Sequence, residues 1–372
     1  QMWIPVLSTN EQLLKIKIDD VAHWTTLMLA VSGPLHKLTR NHLKLIAEPD
    51  NKKIRFRLFS LILQLTKHRV LSVSKLGTEM WMFLFRYKWD KMMDDEWKKQ
   101  ISSEVITACI KNNEKLPWDG SSSEFDTQLQ HNNSFAGLRS QIQCLMGLIT
   151  AKAPGLVLEK LARAYTDVLG KTHEMLSKNP SGRAIGQANI FLESLSAILE
   201  HTIRAIPKDF HSDRIILECL GGILRAFLLF KKAPMTLLAY KMHAMGVLHP
   251  LYRNNSEALQ AAVTELIRGV QSTPEGKRFD RNDKDTLIAR KRALQGLISI
   301  SKKHQQNLVT HFKSLSDLVS KAISQADLLR DEDRMGFLEF LIPISNAMNE
   351  RAQMQFLKSI ASEPINKWDR LV

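Results

Sequence analysis

Apolar residues recur at three- and four-residue spacing along almost the entire chain, and no other feature of the sequence limits the fold as tightly. Segments such as "VAHWTTLMLAV", "RFRLFSLILQLTKH", "LRSQIQCLMGLITA", "IILECLGGILRAFLLF" and "SLSDLVSKAIS" each gather their apolar side chains on one stripe of a helix, because positions three and four apart share a helical face. A strand would need alternation of period two, and no sustained stretch of that kind stands between hairpin turns. The chain is therefore expected to be all-α, with roughly fourteen to sixteen helices. Short polar or Pro/Gly turns such as "AEPDNKK", "KNPSG" and "KKAPM" join them.

The helices come in pairs. The stretch "MGFLEFLIPISNAMNERAQMQFLKSI", from Met335 to Ile360, reads as a helix, a polar turn and a second helix, with Pro343 expected to kink the first. Such pairs follow one another at roughly forty-residue intervals, the period of HEAT-type repeats. A pair cannot bury its apolar face alone, so it stacks on its neighbours into a continuous core. The expected architecture is a HEAT-like α-solenoid, a single continuous array over residues 1–372. Two longer connections interrupt it: the polar stretch 112–133, "NNEKLPWDGSSSEFDTQLQHNN", and the basic stretch 272–285, "STPEGKRFDRNDKD". Both are expected to be mobile. A plain helical bundle would need one very large common core to absorb so many short-linked pairs.

The 372 residues, 44% of them hydrophobic, suffice for a sizeable core. Cys109, Cys144 and Cys219 are far apart and none begins a C-x-x-C, which suits a reducing compartment and neither a disulfide framework nor a zinc ribbon. No apolar run reaches the roughly 18 to 20 residues of a membrane span, so no membrane insertion is expected. The N-terminus, "QMWIPVLSTN", has neither a signal-peptide charge pattern nor an initiator Met. A soluble piece of a longer protein is the expectation.

Charge is concentrated. The formal net charge is +14, and two segments account for it: 51–91, which contains Lys52, Lys53, Arg55 and Arg57, and 268–313, which contains Lys277, Arg278, Arg281, Arg290, Lys291 and Arg292. Two basic segments on a nearly neutral scaffold point to a polyanionic partner. Solvated helix faces would give the same composition, and charge alone does not separate RNA, DNA, an acidic protein and a membrane surface.

The sequence carries no catalytic or metal-binding motif of a familiar kind. There is no G-x-x-x-x-G-K, no G-x-G-x-x-G after a strand, no H-E-x-x-H and no G-x-S-x-G. "SGRAIG" opens a helix with no strand before it, and His201 and His211 share no helix face. The acidic runs "MMDDEWKK" and "DEDRMGFLEF" fit the first turns of helices, where the macrodipole favours negative charge. No cofactor and no catalytic residue is expected.

The basic helix after the second loop is the most informative element. On a wheel from Leu287, residues Ala289, Ala293, Leu294, Leu297, Ile298 and Ile300 form one broad apolar arc, while Lys291, Arg292, Gln295 and Ser299 lie opposite. Lys291 and Arg292 are thus the candidates for ligand contact. Arg290 falls within the apolar arc, where it is expected to snorkel or pair with a carboxylate.

The same residues carry a resemblance. "IARKRALQGLISISKKHQQNLVTHFKSLSDLVSKAIS" followed by "EDRMGFLEFLIPISNAMNERAQMQFLKSIASEPINKW" resembles consecutive repeats from the middle of the exportin-five branch of the importin-β (karyopherin) superfamily. The matching features are the basic helix, an E-x-L-x-x-I-S-N core (Glu339, Leu341, Ile344, Ser345, Asn346), a Gln-x-x-Phe-Leu (Gln353, Phe356, Leu357) and a Pro-x-x-x-Trp close (Pro364, Trp368). "MWMFLFR" from Met80, "SEFD" from Ser123 and "FLESLSAILEHTIR" from Phe191 agree in order.

The resemblance implies a nuclear export receptor that carries double-stranded RNA, notably precursor microRNAs with a short 3′ overhang, in complex with RanGTP. It implies passage between nucleus and cytoplasm past nuclear pore proteins. It also implies that Arg204, Arg290, Lys291 and Arg292 line an inner basic surface near the RNA end, and that the repeats gripping Ran lie outside this segment. Double-stranded RNA is read mainly by shape and backbone charge, so a Lys/Arg-lined array needs no sequence-reading motif. The competing readings are a HEAT-repeat protein scaffold that meets acidic tails and another karyopherin branch, such as a tRNA exporter or a protein transport receptor.

Overall fold

The computed structural model describes residues 3–16, 21–87, 89, 94–114, 124–125, 127–178, 182–231, 233–273, 283–324 and 329–369. Among the described residues it has eighteen α-helices and no strand. The helices exceed the fourteen to sixteen expected because three short ones, of four to six residues, precede longer partners without a sequence period of their own. The chain divides into two compact units, 1–161 with 204–208, and 162–203 with 209–372.

The first unit contains α1 (Trp3–Leu13), α2 (Val21–Asn41), α3 (Leu43–Ile46), α4 (Lys52–Thr66), α5 (Leu71–Arg86), α6 (Asp95–Asn112) and α7 (Gln128–Thr150). The first helix of each pair packs on the first of the next, α1 on α4 and α4 on α6, and the second on the second, α2 on α5 and α5 on α7. This double ladder is what a HEAT-type repeat needs to bury both faces. Its centre is aromatic: Trp81 lies 5.6 Å from Phe59 and 6.2 Å from both Phe85 and Trp89, ring centre to ring centre.

Helix ends are satisfied by side chains from the same helix, from its partner or from the next pair. Ser74 Oγ donates to Thr66 O at 2.9 Å, and Asn112 Nδ2 donates to the same carbonyl and to Ser74 Oγ. That ties the C-terminus of α4, whose last carbonyls have no helical partner, to α5 and α6. Glu124, from the long polar connection, accepts from the Ser72 N–H at the start of α5 (3.1 Å). Burial raises its pKa, and the hydrogen bonds at Ser72 and Leu71 oppose the rise. Asp94 caps α6 by accepting from Trp97 N–H at 2.9 Å, with Asp95 and Glu96 in the first turn as the acidic run predicted.

α8 (Pro154–Lys178) starts in the first unit and continues in the second, and α9 (Gly182–Ala205) follows it. The second unit goes on with α10 (Arg214–Leu229), α11 (Met235–Val247), α12 (His249–Asn254), α13 (Ser256–Gln271), α14 (Lys284–Lys303), α15 (Gln305–Val309), α16 (Phe312–Ser324), α17 (Asp331–Ser345) and α18 (Glu350–Asp369). The ladder repeats: α10 on α13 and α13 on α16, α11 on α14 and α14 on α17. Starts at Arg214 and Ser256 keep the roughly forty-residue interval. From Asp95 to Pro154 to Arg214 the interval is longer, because α7, α8 and α9 run 23 to 25 residues each.

The helix, turn and helix read from Met335 to Ile360 are α17 and α18. Pro343 stands in the last turn of α17 with only Ile344 and Ser345 after it, so the missing N–H falls where the helix closes. Residues 115–123 and 126 of the connection at 112–133, and 274–282 of that at 272–285, lie outside the described residues, and so does the expectation that they are mobile; 128–133, read as part of the first connection, form the opening turns of α7.

Candidate nucleic-acid interface

α14 is the best anchored helix of its unit, packed by α11, α13 and α17. Asp283 caps it, accepting from Thr286 N–H at 2.9 Å. Two glycines let it come unusually close to α11: a Cβ added at Gly246 would lie 2.7 Å from Gly296 Cα. The apolar arc read from the wheel is the buried face, with Ala289, Ala293, Leu294, Leu297 and Ile300 buried and Ile298 half-buried.

Opposite, Lys291, Arg292 and Gln295 are exposed. Ser299 is half-buried instead, with its Oγ 3.2 Å from His249 Nε2. Among the described residues neither Lys291 nor Arg292 has a carboxylate partner. Lys284, Lys302 and Lys303 are exposed on the same helix, and its only acidic residue is the half-buried Asp285. Lys284, Lys291 and Lys302 fall on one stripe, and a rise of 1.5 Å per residue spreads them over about 27 Å. Such a stripe is able to hold a row of phosphates by charge-assisted hydrogen bonds. Lys284, Lys302 and Lys303 count among the cations of the basic segment 268–313 but are not among the contact residues read from the sequence, although extending the same wheel to both ends of the helix finds them.

Arg290 is placed otherwise than the resemblance implies. It is 1% exposed, with Nη1 3.1 Å from Asp333 Oδ2 on α17 and Nη2 donating to Ser272 O at 3.3 Å. Burial lowers its pKa, and Asp333 pulls the other way. The physical reason is its register: it points into the apolar arc, and of the two outcomes open to it there, snorkelling or pairing with a carboxylate, it takes the second. As placed, it joins α14 to α17 and does not reach the surface.

Lys277, Arg278 and Arg281 lie outside the described residues. Arg204 is exposed in the last turn of α9 and belongs to the first unit.

The second basic segment divides in the same way. Lys52 and Lys53, in the first turn of α4, are exposed, and among the described residues no carboxylate pairs with them. Arg55 is buried and donates to Ile46 O and Ala47 O at 3.3 and 3.1 Å, closing the end of α3. Burial lowers its pKa, with Asp94 opposing. Arg57 grips Glu11 with two hydrogen bonds, 3.1 and 2.8 Å, which raise its pKa. Arg55 and Arg57 thus hold their unit together, and Lys52 and Lys53 are the outward pair.

Near the end of α14 the field is positive as well. His249 and His304 stack with ring centres 5.9 Å apart. Burial, Lys303 and His304 hold His249 down to about 3; burial, Lys303 and Arg253 hold His304 down to about 4. Among the described residues no cluster of three or more His, Cys, Asp or Glu could hold a metal, and no helix is long and apolar enough to cross a membrane.

This double ladder of helix pairs defines a class. The fold is similar to that of importin 13 in its cytosolic state, with a TM-score of 0.61 at 16% identity over 97% of this chain and 39% of that one. A likeness at that identity shows the fold, and the class is a HEAT-like helical-repeat array. The family model for the Exportin-5 family matches residues 27–371, and the chain belongs to that family. It spans well under half the length of the importin 13 chain. No curated protein sequence matches it.

Proposed function

We propose that the chain is a middle segment of a nuclear export receptor, one stretch of a longer continuous array, and that the exposed face of α14 holds double-stranded RNA of the precursor-microRNA type. The observation that carries this is the placement of Lys291 and Arg292: two cations held outward on a rigidly packed helix, with no carboxylate partner among the described residues and three further exposed lysines along its length. Phosphate-rich A-form RNA is bound by such surfaces through backbone charge. Lys52, Lys53 and Arg204 are proposed as outlying contacts. Membership of the Exportin-5 family supports a transport role, with RanGTP as a protein partner gripped by repeats beyond this segment, nuclear pore proteins as transit partners, and shuttling between nucleus and cytoplasm.

The test is a fluorescence-anisotropy titration of the chain with a short RNA duplex bearing a 3′ overhang, at two salt concentrations, beside a blunt duplex, a folded tRNA and an acidic peptide. The expected result is salt-sensitive binding to the overhang duplex. Lys291→Glu with Arg292→Glu should weaken it more than tenfold and reduce the slope of log K against log[salt] by roughly two. Binding unchanged in that variant overturns the assignment of α14. A preference for tRNA favours another karyopherin branch, and binding of the acidic peptide alone favours a scaffold.

A further inference from the structure

α10 is apolar on two faces. Ile216, Leu220, Ile223, Leu224 and Phe227 are buried against its neighbours. On the other side Ile215, Cys219, Gly222, Ala226 and Leu229 follow one another at spacings of four, three, four and three residues, the seam of a coiled-coil helix. On a wheel they lie within an arc of about 80°. Ile215 is 59% and Leu229 75% exposed, and Cys219, Gly222 and Ala226 between them are half-buried. A Cβ added at Gly222, at the middle of the seam, would meet nothing within 4 Å. A helix that is apolar all round is normally buried, and here a contiguous strip has its bulk at the two ends and a shallow floor between them.

The strip is close to symmetric about Gly222: Ile215 and Leu229 stand seven residues either side of it, Cys219 three before and Ala226 four after. A second α10 run antiparallel across it sets Ile215 beside Leu229, Cys219 beside Ala226 and Gly222 on Gly222, where two backbones approach without side chains between them. The charges agree. Glu218 and Arg225, one on either side of the midpoint, occupy the same flank, and in an antiparallel pair same-flank residues face each other. Glu218 of one copy then meets Arg225 of the other, twice by symmetry. Glu218 already accepts from Arg214 Nε through Oε1 at 2.8 Å, and its second oxygen remains for the partner. A parallel pair would set Gly222 on Gly222 but leave Glu218 facing away from Arg225.

We infer that the outward seam of α10, exposed at its two ends, is a self-association surface on which a second copy of this chain docks antiparallel about a twofold axis at Gly222. Two helices of this length bury well below the roughly 1,200 Å² of a standard interface, so the dimer is weak and forms at high local concentration. This is independent of the α14 reading, since the residues belong to another helix and no RNA takes part.

The experiment is sedimentation equilibrium of the intact 372-residue chain over a concentration series, without RNA. Reversible dimerisation is expected. Leu229→Glu should abolish it with helicity and thermal unfolding unchanged, because Leu229 is already in solvent. Glu218→Arg should weaken it roughly fivefold, as expected for two exposed ion pairs replaced by like charges, and Glu218→Arg with Arg225→Glu should restore it. Mild oxidation of Gly222→Cys should give a disulfide-linked dimer through position 222. A chain that stays monomeric throughout, or a dimer indifferent to Leu229→Glu and not rescued by the charge swap, overturns the proposal.

Discussion

The buried pair between Arg290 and Asp333 offers the sharpest test of how α14 is held. Asp333 does two things: its Oδ2 lies 3.1 Å from Arg290 Nη1, and it accepts from the Arg330 N–H at 3.1 Å as part of the α17 capping box. Truncation in Asp333→Ala removes both. Leaving a guanidinium buried without its carboxylate costs about 3 to 5 kcal/mol, and the lost cap adds about 1, so about 4 to 6 kcal/mol is expected. That is comparable with the whole stability of many domains.

Arg290→Met should cost much less, about 1 to 2 kcal/mol. The carboxylate it leaves behind keeps the Arg330 N–H and is 9% exposed, and Met fills much of the Arg volume. The discriminating variant is the double one: Arg290→Met with Asp333→Asn should be more stable than Asp333→Asn alone, because the uncompensated charge has gone. Urea unfolding followed by circular dichroism at 222 nm reads all of these. A double variant no more stable than Asp333→Asn refutes the reasoning. So does an Arg290→Met protein of normal stability that binds RNA tenfold more weakly, because the arginine would then act at the surface.

Two further outcomes follow from packing and titration. His249 and His304 titrate near 3 and 4 in the folded chain against a usual value of 6.5; the unfolded chain therefore binds more protons between those limits, and stability should fall as pH drops from about 6.5 towards 4. The slope should approach about 2.7 kcal/mol per pH unit for two protons, and His304→Gln should flatten it in chemical unfolding at stepped pH; an unchanged slope would refute the assignment. Gly246→Ala should destabilise by about 1 to 3 kcal/mol by forcing α11 from α14, while Gly170→Ala, within α8 with nothing within 4 Å of the new Cβ, should be neutral or gain about 1 kcal/mol; thermal unfolding of the pair checks both, and equal effects would refute the packing argument.

Much of the site was legible before the fold. The wheel of the basic helix separated Lys291, Arg292 and Gln295 from the buried arc and left Arg290 either to snorkel or to pair with a carboxylate, because burial along one helix follows its period. It did not name Asp333, which lies 43 positions away. Nor did it separate Lys52 and Lys53 from Arg55 and Arg57: in a short run of cations every residue looks solvated until the neighbouring helix supplies Ile46 O, Ala47 O or Glu11. Ser299 was misread for the same reason, since His249 comes from another helix pair.

The sequence by itself determined that the chain is all-α, where several turns and acidic helix starts fall, and which stripe of the basic helix is apolar, since turn residues, helix-start residues and the 3.6-residue period act within a few positions. The pairing of particular helices was decided only in three dimensions. Gly246 on Gly296, Lys241 with Glu265 at 2.6 Å, and Arg290 with Asp333 join residues 24 to 50 positions apart, and no local rule fixes them. They depend on which backbones approach closely enough to exclude water, and that same exclusion turns some cations of a basic segment into internal ties and leaves others facing a partner.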